Sequence, residues 1–340
     1  MDEKRKKRLI WQLPFLTLLI VGTILIIRQQ QVTPYQKNSG LIFGTTYNIT
    51  YQHGDDLHKD ILAQLKEVDA TLSMFNEKSV ITRVNSNQHP ELTPMFMEVF
   101  NEAQQISKET GGAFDITVGP LVNAWGFGFK HEQMPDKHAV DSLMTLVGYQ
   151  KVKSDGKKIV KKDPRITLDC SAIAKGYGVD VVARLLDKEG VKNYLIEIGG
   201  EVITKGISEK RLPWKIGVTK PTDDPLVDGN ELQTVLNVTD KAMATSGNYR
   251  NFYYKGKRKY AHTIDPKTGY PVQHNILSAT VLTNCCMKAD AYATAFMVMG
   301  LEKAQKVLEK HPELMVYFIY DKNGQNAVWY SPSLKEKIQQ

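Results

Sequence analysis

Leu168-Asp169-Cys170-Ser171-Ala172-Ile173-Ala174-Lys175-Gly176-Tyr177-Gly178 runs into a stretch with Val179, Val182, Ala183 and Leu186 at helical spacing. Asn193-Tyr194-Leu195-Ile196-Glu197-Ile198-Gly199-Gly200 follows. The first part reads as an apolar strand ending in a carboxylate and a turn of small residues, the second as a helix closed by Gly190, the third as a further strand. A helix that starts directly after such a turn gathers backbone N–H groups and an acid where a phosphorylated ligand could sit. Small residues also appear wherever a helix packs closely on a sheet, so the stretch alone leaves ligand binding open.

On the N-terminal side, Leu41 to Tyr51 is rich in β-branched and aromatic residues and reads as a strand with Gly44 near its start. Asp55 to Leu72 carries Leu57, Ile61, Leu65 and Val68 on one helical face and ends in Ser73-Met74-Phe75-Asn76, where Phe75 is either a capping contact or an aromatic lid on a planar ligand. Thr93-Pro94 opens the next helix, with Phe96, Val99, Phe100, Ala103 and Ile106 as its buried stripe and Thr110-Gly111-Gly112 as its stop. Ala113 to Gly128 mixes glycine, proline, aromatics and Asp115, a composition poor for regular structure that reads as a ligand-facing loop. Asp136 to Leu146 is a short helix, and Tyr149 to Val160 a hairpin about Ser154-Asp155-Gly156.

On the C-terminal side, Trp214 to Val238 reads as two strands flanking the polar loop Pro221 to Asn230, and Lys241 to Gly247 as a small polar turn or a phosphate contact through Thr245-Ser246-Gly247. His262 and the turn Asp265-Pro266-Lys267-Thr268-Gly269 follow, the imidazole being either a structural group or a proton carrier near neutral pH. After a strand from Ser278 to Thr283, Lys288 to Met297 reads as a helix in which Asp290, Ala293 and Thr294 stand at i, i+3 and i+4. A carboxylate, a gap and a hydroxyl on one face suit a hard cation such as Mg2+, although an acid that caps the helix and a back-bonded threonine would look the same. A helix-strand-strand unit from Glu302 to Tyr330 completes the chain.

The chain has 340 residues, 42% of them hydrophobic, enough for one large domain or two intimately joined halves. Its formal charge of +7 owes much to the run Lys4 to Arg8, which argues against a nucleic-acid partner. That run precedes Leu9 to Ile27, which contains no charged residue and reads as a membrane anchor with residues 1–8 in the cytoplasm; a cleaved signal peptide is the alternative. Retention is favoured because no small-x-small cleavage site precedes the polar linker 28–39 and no cysteine beside the apolar run could take a lipid. Cys170, Cys285 and Cys286, odd in number and without C-x-x-C spacing, suggest neither a disulfide framework nor a zinc site.

Taken in order, Gly44-Thr45-Thr46-Tyr47, Ser73 to Asn76 with Arg83 and Asn85, Gly111 to Gly128, Asp169 to Gly178, Glu197 to Glu201, Ala244 to Gly247, His262 to Pro271 and Ala289 to Gly300 resemble the ApbE family, the FAD:protein FMN transferases. The resemblance implies an α+β catalytic domain over residues 40–335, of mixed, largely antiparallel sheets flanked by helices, on the periplasmic side of the inner membrane. It implies FAD as substrate, Mg2+ as cofactor, and transfer of FMN to a Thr or Ser hydroxyl of an exported acceptor such as a subunit of an Na+-pumping NADH:quinone reductase or Rnf-type complex. Flavin contacts would fall on Phe43, Phe75, Ala113, Phe114, Asp115, Asp169, Lys175 and Ile264. The metal would be held by the Ala172 carbonyl with Asp290 and Thr294, and Ala293 alongside. His262 would stand beside the reacting phosphate as the first candidate base, with Asp265 or Asp290 as alternatives. Phe43 stands where methionine is common in the family, Phe75 where tyrosine is common, and Ala293 where some relatives carry an acid. Two other readings are FAD hydrolysis to FMN and AMP, and non-enzymatic flavin binding or delivery at the membrane.

Overall fold

The computed structural model describes residues 12–23, 33–128, 134–221, 231–248, 252–255 and 258–339. In chain order its strands are β1 (Tyr35–Ile42), β2 (Thr45–Gln52), β3 (Val152–Ser154), β4 (Ile159–Lys161), β5 (Tyr194–Ile198), β6 (Glu201–Lys205), β7 (Lys215–Thr219), β8 (Leu232–Asn237), β9 (Ala242–Gly247), β10 (Phe252–Lys255), β11 (Arg258–Ala261), β12 (Ile276–Thr283), β13 (Met315–Lys322) and β14 (Gln325–Tyr330). Its helices are α1 (12–23), α2 (His58–Leu72), α3 (Val80–Asn85), α4 (Pro94–Glu109), α5 (Gly119–Ala124), α6 (Lys137–Met144), α7 (Ala174–Lys188), α8 (Cys286–Met299) and α9 (Leu301–Leu308).

Eight strands form one sheet in the order β1-β2-β5-β6-β9-β12-β13-β14, and β3-β4, β7-β8 and β10-β11 are separate hairpins. The class is α+β as expected, but where mixed pairing was anticipated every described pairing is antiparallel. Alternation along the central strands sends neighbouring residues into different cores. Ala279, Val281, Val316 and Phe318 face the helices, whereas Leu282, Tyr317 and Ile319 face Val218 and Leu236 of the β7-β8 hairpin. Sheathed by β9 and β12 on one side and by α4 and α7 on others, α8 is apolar nearly all round, the pattern of a fully enclosed helix.

Several expected elements take their predicted form. The Leu57, Ile61, Leu65 and Val68 stripe of α2 is buried. Thr93 caps α4 by accepting from Phe96 N with Pro94 in the first turn, and Asp136 caps α6 by accepting from Ala139 N.

Others differ. Leu41 to Tyr51 holds the end of β1, a two-residue turn and most of β2: Phe43 and Gly44, at φ 51° and 73°, reverse the chain so that Ile42 pairs with Thr45. The first strand reaches back to Tyr35, into the stretch expected to be linker. Lys241 to Gly247 is a central strand whose Ala242 and Ala244 admit close packing on the helix side. Residues 113–128 contain the short helix α5. Leu168 lies in no ladder; the Asn85 amide takes the place of a strand, accepting from Leu168 N at 2.7 Å and donating to its carbonyl at 2.9 Å.

Residues 12–23 are helical, and the rest of the expected anchor 9–27 lies outside the described residues. Among the described residues no helix is long and apolar enough to cross a membrane.

Candidate active site

Helices α7 and α8 carry the chemistry, and each supplies the other's missing cap. Neither Ile173 before α7 nor Cys285 before α8 offers a side-chain cap. Asp180, two turns into α7, accepts instead from Cys286 N and Met287 N at 2.8 Å each, and from the Cys285 thiol at 3.2 Å. In return Asp290, on the second turn of α8, accepts from Gly176 N at 3.1 Å. A carboxylate at a helix N-terminus satisfies orphan amides and meets the positive end of the dipole. Burial nonetheless pushes the Asp180 carboxyl above the usual range, the two amides and the thiol pulling it back in part. This exchange needs the helices in backbone contact, and Gly176 supplies it: a Cβ there would stand 2.4 Å from the Cys286 carbonyl oxygen and 2.9 Å from Asp290 Cβ.

With one oxygen held by Gly176, Asp290 has its other near Lys175 Nζ, at 3.9 Å, and the same ammonium lies 2.9 Å from Glu201 Oε1. Lys175 is desolvated, which lowers its pKa, but Asp290 and Glu201 outweigh that and hold it above the ordinary lysine range. Glu201 opens β6 immediately after Gly199 and Gly200, whose φ values of 63° and 101° make the tight β5-β6 turn. It is 4% exposed, and its Oε2 has no hydrogen-bond partner among the described residues. Burial drives its carboxyl up, against the pull of Lys175.

Lys175, Glu201 and Asp290 line a cavity of about 390 Å3, within the range of small-molecule sites. Its lining combines polar residues, among them Asp169, Ser171, Ser246 and Thr294, with the apolar side chains of Met74, Phe75, Phe114, Val122, Phe127 and Ile264. His262 also lines the cavity, its ring edge-on to Phe127 at 6.3 Å between centroids. Thr294 shares a 3.1 Å hydrogen bond with Ser246 of β9. Asp169 accepts from Ser171 N at 2.8 Å, and burial raises its carboxyl. Four acids, Asp115, Asp169, Glu201 and Asp290, share the lining with Lys175 and His262.

Of the residues singled out from the sequence, Phe75, Ala113, Phe114, Asp115, Asp169, Ala172, Lys175, His262, Ile264, Asp290 and Thr294 meet at this cavity. Phe75 is 72% exposed at its rim. Asp115 lines the wall but spends both oxygens on the scaffold, accepting from Thr117 N and Oγ1 and from Tyr149 N.

Phe43 and Ala293 are not among the lining residues. The left-handed turn aims the Phe43 ring behind α7, where a Cβ on Gly178 would lie 2.7 Å from it. Ala293 is fully buried in the main core. On a helix, residues four apart lie about 40° from each other and residues three apart about 60° the other way. Thr294 therefore shares the cavity face with Asp290 while Ala293 turns to the core. Asp265 is also absent from the lining; its Oδ1 accepts from Lys267 N within its own turn. Thr245, Ser246 and Gly247, read from the sequence as a turn or a phosphate contact, line the cavity from β9. Glu201 was not expected as a site residue, though an acid directly after Gly-Gly at a predicted strand end is the kind of signal that could have found it.

An α+β scaffold with a cavity lined by aromatic side chains and by carboxylates around a lysine offers a candidate small-molecule site. Comparison with known proteins places it more narrowly: residues 43–318 match the ApbE family, and the chain belongs to that family. It is 38% identical over 291 residues, 82% of this chain and 86% of the relative, to the FAD:protein FMN transferase of Vibrio cholerae. To that of Haemophilus influenzae it is 37% identical over 324 residues, 88% of this chain and 92% of the relative. Among solved structures, the flavin transferase ApbE from Vibrio cholerae superposes with a TM-score of 0.81 at 35% identity, covering 89% of this chain and all of that one. The ApbE protein of Thermotoga maritima superposes at 0.79 with 26% identity, covering 90% and 100%.

Proposed function

We propose that this chain transfers the FMN half of FAD to a Thr or Ser hydroxyl of an acceptor protein, with Mg2+ as cofactor. The acceptor oxygen forms a bond to the FMN phosphorus, the pyrophosphate P–O bond breaks, AMP leaves, and the hydroxyl proton passes to a base. The observation that carries the reading is the convergence of Lys175, Asp290, Thr294, the Ala172 turn and His262 on a cavity lined by aromatic side chains, in a chain whose relatives bear that activity in their names.

The donor set suits the cation. Asp290, Thr294 and the Ala172 carbonyl are oxygen donors, and Mg2+ takes one or two protein carboxylates and leaves its other positions to water and phosphate. Among the described residues no three His, Cys, Asp or Glu side chains form a self-contained metal cage, which matches a cation shared with its substrate. When bound it would neutralise charge on the pyrophosphate oxygens.

The chain's own residues do the rest. The aromatic side chains of the lining take the isoalloxazine, with Phe75 over its outer face. Lys175 supplies an ammonium for the phosphates, and the Asp169-Ser171 turn shapes the wall beside it. His262, flanked by Phe127, is placed to take the acceptor proton. At the N-terminus, α1 exposes Leu13, Phe15, Leu16 and Leu18. That supports a retained anchor over residues 9–27; the basic run Lys4 to Arg8 before it would put the catalytic domain on the periplasmic side, where the acceptor would be an exported redox subunit.

The test mixes the chain with FAD, Mg2+ and a candidate acceptor domain and reads intact mass together with released AMP. An acceptor heavier by one FMN, dependent on Mg2+ and lost in Asp290→Ala, is the expected result. AMP with free FMN and no mass gain would indicate hydrolysis, and bound FAD without AMP a flavin carrier.

A further inference from the structure

Glu201, which lines the cavity, carries a buried carboxylate oxygen that the proposed reaction leaves unused. Glu201 Oε2 is shut away from water in a residue 4% exposed and accepts no hydrogen bond from the described residues. A buried carboxylate oxygen without a partner costs on the order of 1–3 kcal/mol or more, so its retention on a cavity wall asks for a visitor. Its other oxygen holds Lys175 Nζ at 2.9 Å, and that ammonium is in turn 3.9 Å from Asp290 Oδ1. A cation thus already stands between two carboxylates, although it is an ammonium on a flexible stem. Gly199 leaves room for that stem: a Cβ there would lie 3.3 Å from Lys175 Cδ.

The electrostatics point the same way. A dianionic pyrophosphate entering a cavity whose lining sets Asp169, Glu201 and Asp290 beside one lysine meets three acids that repel it when ionised. Removing like charges from water without compensation is costly. Resting on the transferase reading above, we propose that Glu201 is the second carboxylate of the divalent-cation site. In the ligand-free chain the Lys175 ammonium occupies the place the cation takes, and cation binding frees Lys175 for the phosphates. Ala293, turned into the core, leaves this second charge to come from the sheet.

The test is a Mn2+ titration of the full-length, FAD-free chain in detergent, following loss of the free-ion electron paramagnetic resonance signal, with no turnover involved. Glu201→Gln keeps the shape and removes the charge; it is expected to weaken Mn2+ binding by at least about tenfold, since even partners that only orient a metal's ligands are worth about tenfold to a hundredfold. Lys175→Met removes the competing ammonium and is expected to tighten Mn2+ binding in the same assay, an outcome that a purely structural Glu201–Lys175 pair does not predict. Thermal melting of each metal-free variant establishes that the fold is intact, and should Glu201→Gln fail to fold, Lys175→Met carries the decision alone. A wild-type chain with no saturable Mn2+ site overturns the cation reading of the cavity together with this assignment. A saturable site that Glu201→Gln leaves within twofold, or that Lys175→Met weakens, overturns the role of Glu201 and leaves the transferase reading standing.

Discussion

Gly176→Ala tests whether the backbone contact between α7 and α8 sets the site. The added methyl would lie 2.4 Å from the Cys286 carbonyl oxygen and 2.7 Å from its carbonyl carbon. Both are backbone atoms, so no side chain can swing aside. An ordinary contact of about 3.4 Å or more requires one helix to move by roughly 1 Å. Overpacking of this kind costs about 1–3 kcal/mol, and alanine's helix propensity returns up to about 1 kcal/mol. A net loss of about 1–2 kcal/mol should lower Tm by roughly 2–4 °C per kcal/mol. The effect on chemistry should be larger, because the same movement pulls Gly176 N away from Asp290 Oδ2 at 3.1 Å and shifts the carboxylate relative to Lys175. A misplacement of that size at a reacting centre costs on the order of a hundredfold in rate. The assay is FMN incorporation into an acceptor domain by intact mass, beside a melting curve, with Gly54→Ala as control because a Cβ there meets nothing within 4 Å. Gly176→Ala with unchanged Tm and a transfer rate within threefold of wild type would refute the argument that this contact positions the site.

Three further outcomes follow from the same geometry. Asp180→Ala strips Cys286 N and Met287 N of their acceptor and is expected to cost about 2–4 kcal/mol in urea unfolding, whereas Asp180→Asn, which still offers one oxygen, should recover part of it. Asp115→Ala leaves Thr117 and Tyr149 without their shared acceptor; FAD affinity measured by fluorescence quenching should fall with stability, because the wall it organises is the one that carries Phe114. Burial lowers the pKa of His274, whose Nδ1 accepts from Ile276 N while Nε2–H donates to Met297 O at the end of α8. The folded chain therefore resists protonation that the unfolded chain accepts. The His274 contribution is full above about pH 6.5 and falls as pH drops below it, by up to about 1.4 kcal/mol per pH unit for one proton, while Glu201, raised by burial, works in the opposite sense in both proteins. Urea unfolding between pH 7.5 and 5.5 should therefore show wild type losing stability relative to His274→Gln as pH falls; parallel pH profiles for the two proteins would contradict the assignment.

What could be read from the sequence depended on how local the cause was. Helices α2 and α4 announce themselves through Ile61, Leu65 and Val68 or Phe96, Val99 and Phe100, because a buried stripe repeats within one element. Strand β9 did not, since Ala242-Met243-Ala244-Thr245-Ser246-Gly247 has the composition of a turn. Its small residues answer to α8, some forty residues further on, which packs across it. The site divides along the same line. Asp290 and Thr294 share a helix face that the spacing reveals, and the same spacing offers Ala293 as a neighbour because i+3 and i+4 are indistinguishable until the buried side of the helix is known. Nothing local marks Asp180, because the amides it caps lie over a hundred residues away. Glu201 is the sharpest case: in sequence it is an acid after a Gly-Gly turn, equally at home in solvent. Only the pairing of β6 with β5 and β9, together with Lys175 arriving from α7, turns it into a buried charge with an idle oxygen. The parts of a site fixed by one element's periodicity are legible in advance; those that arise where two distant elements must complete each other's hydrogen bonding are not.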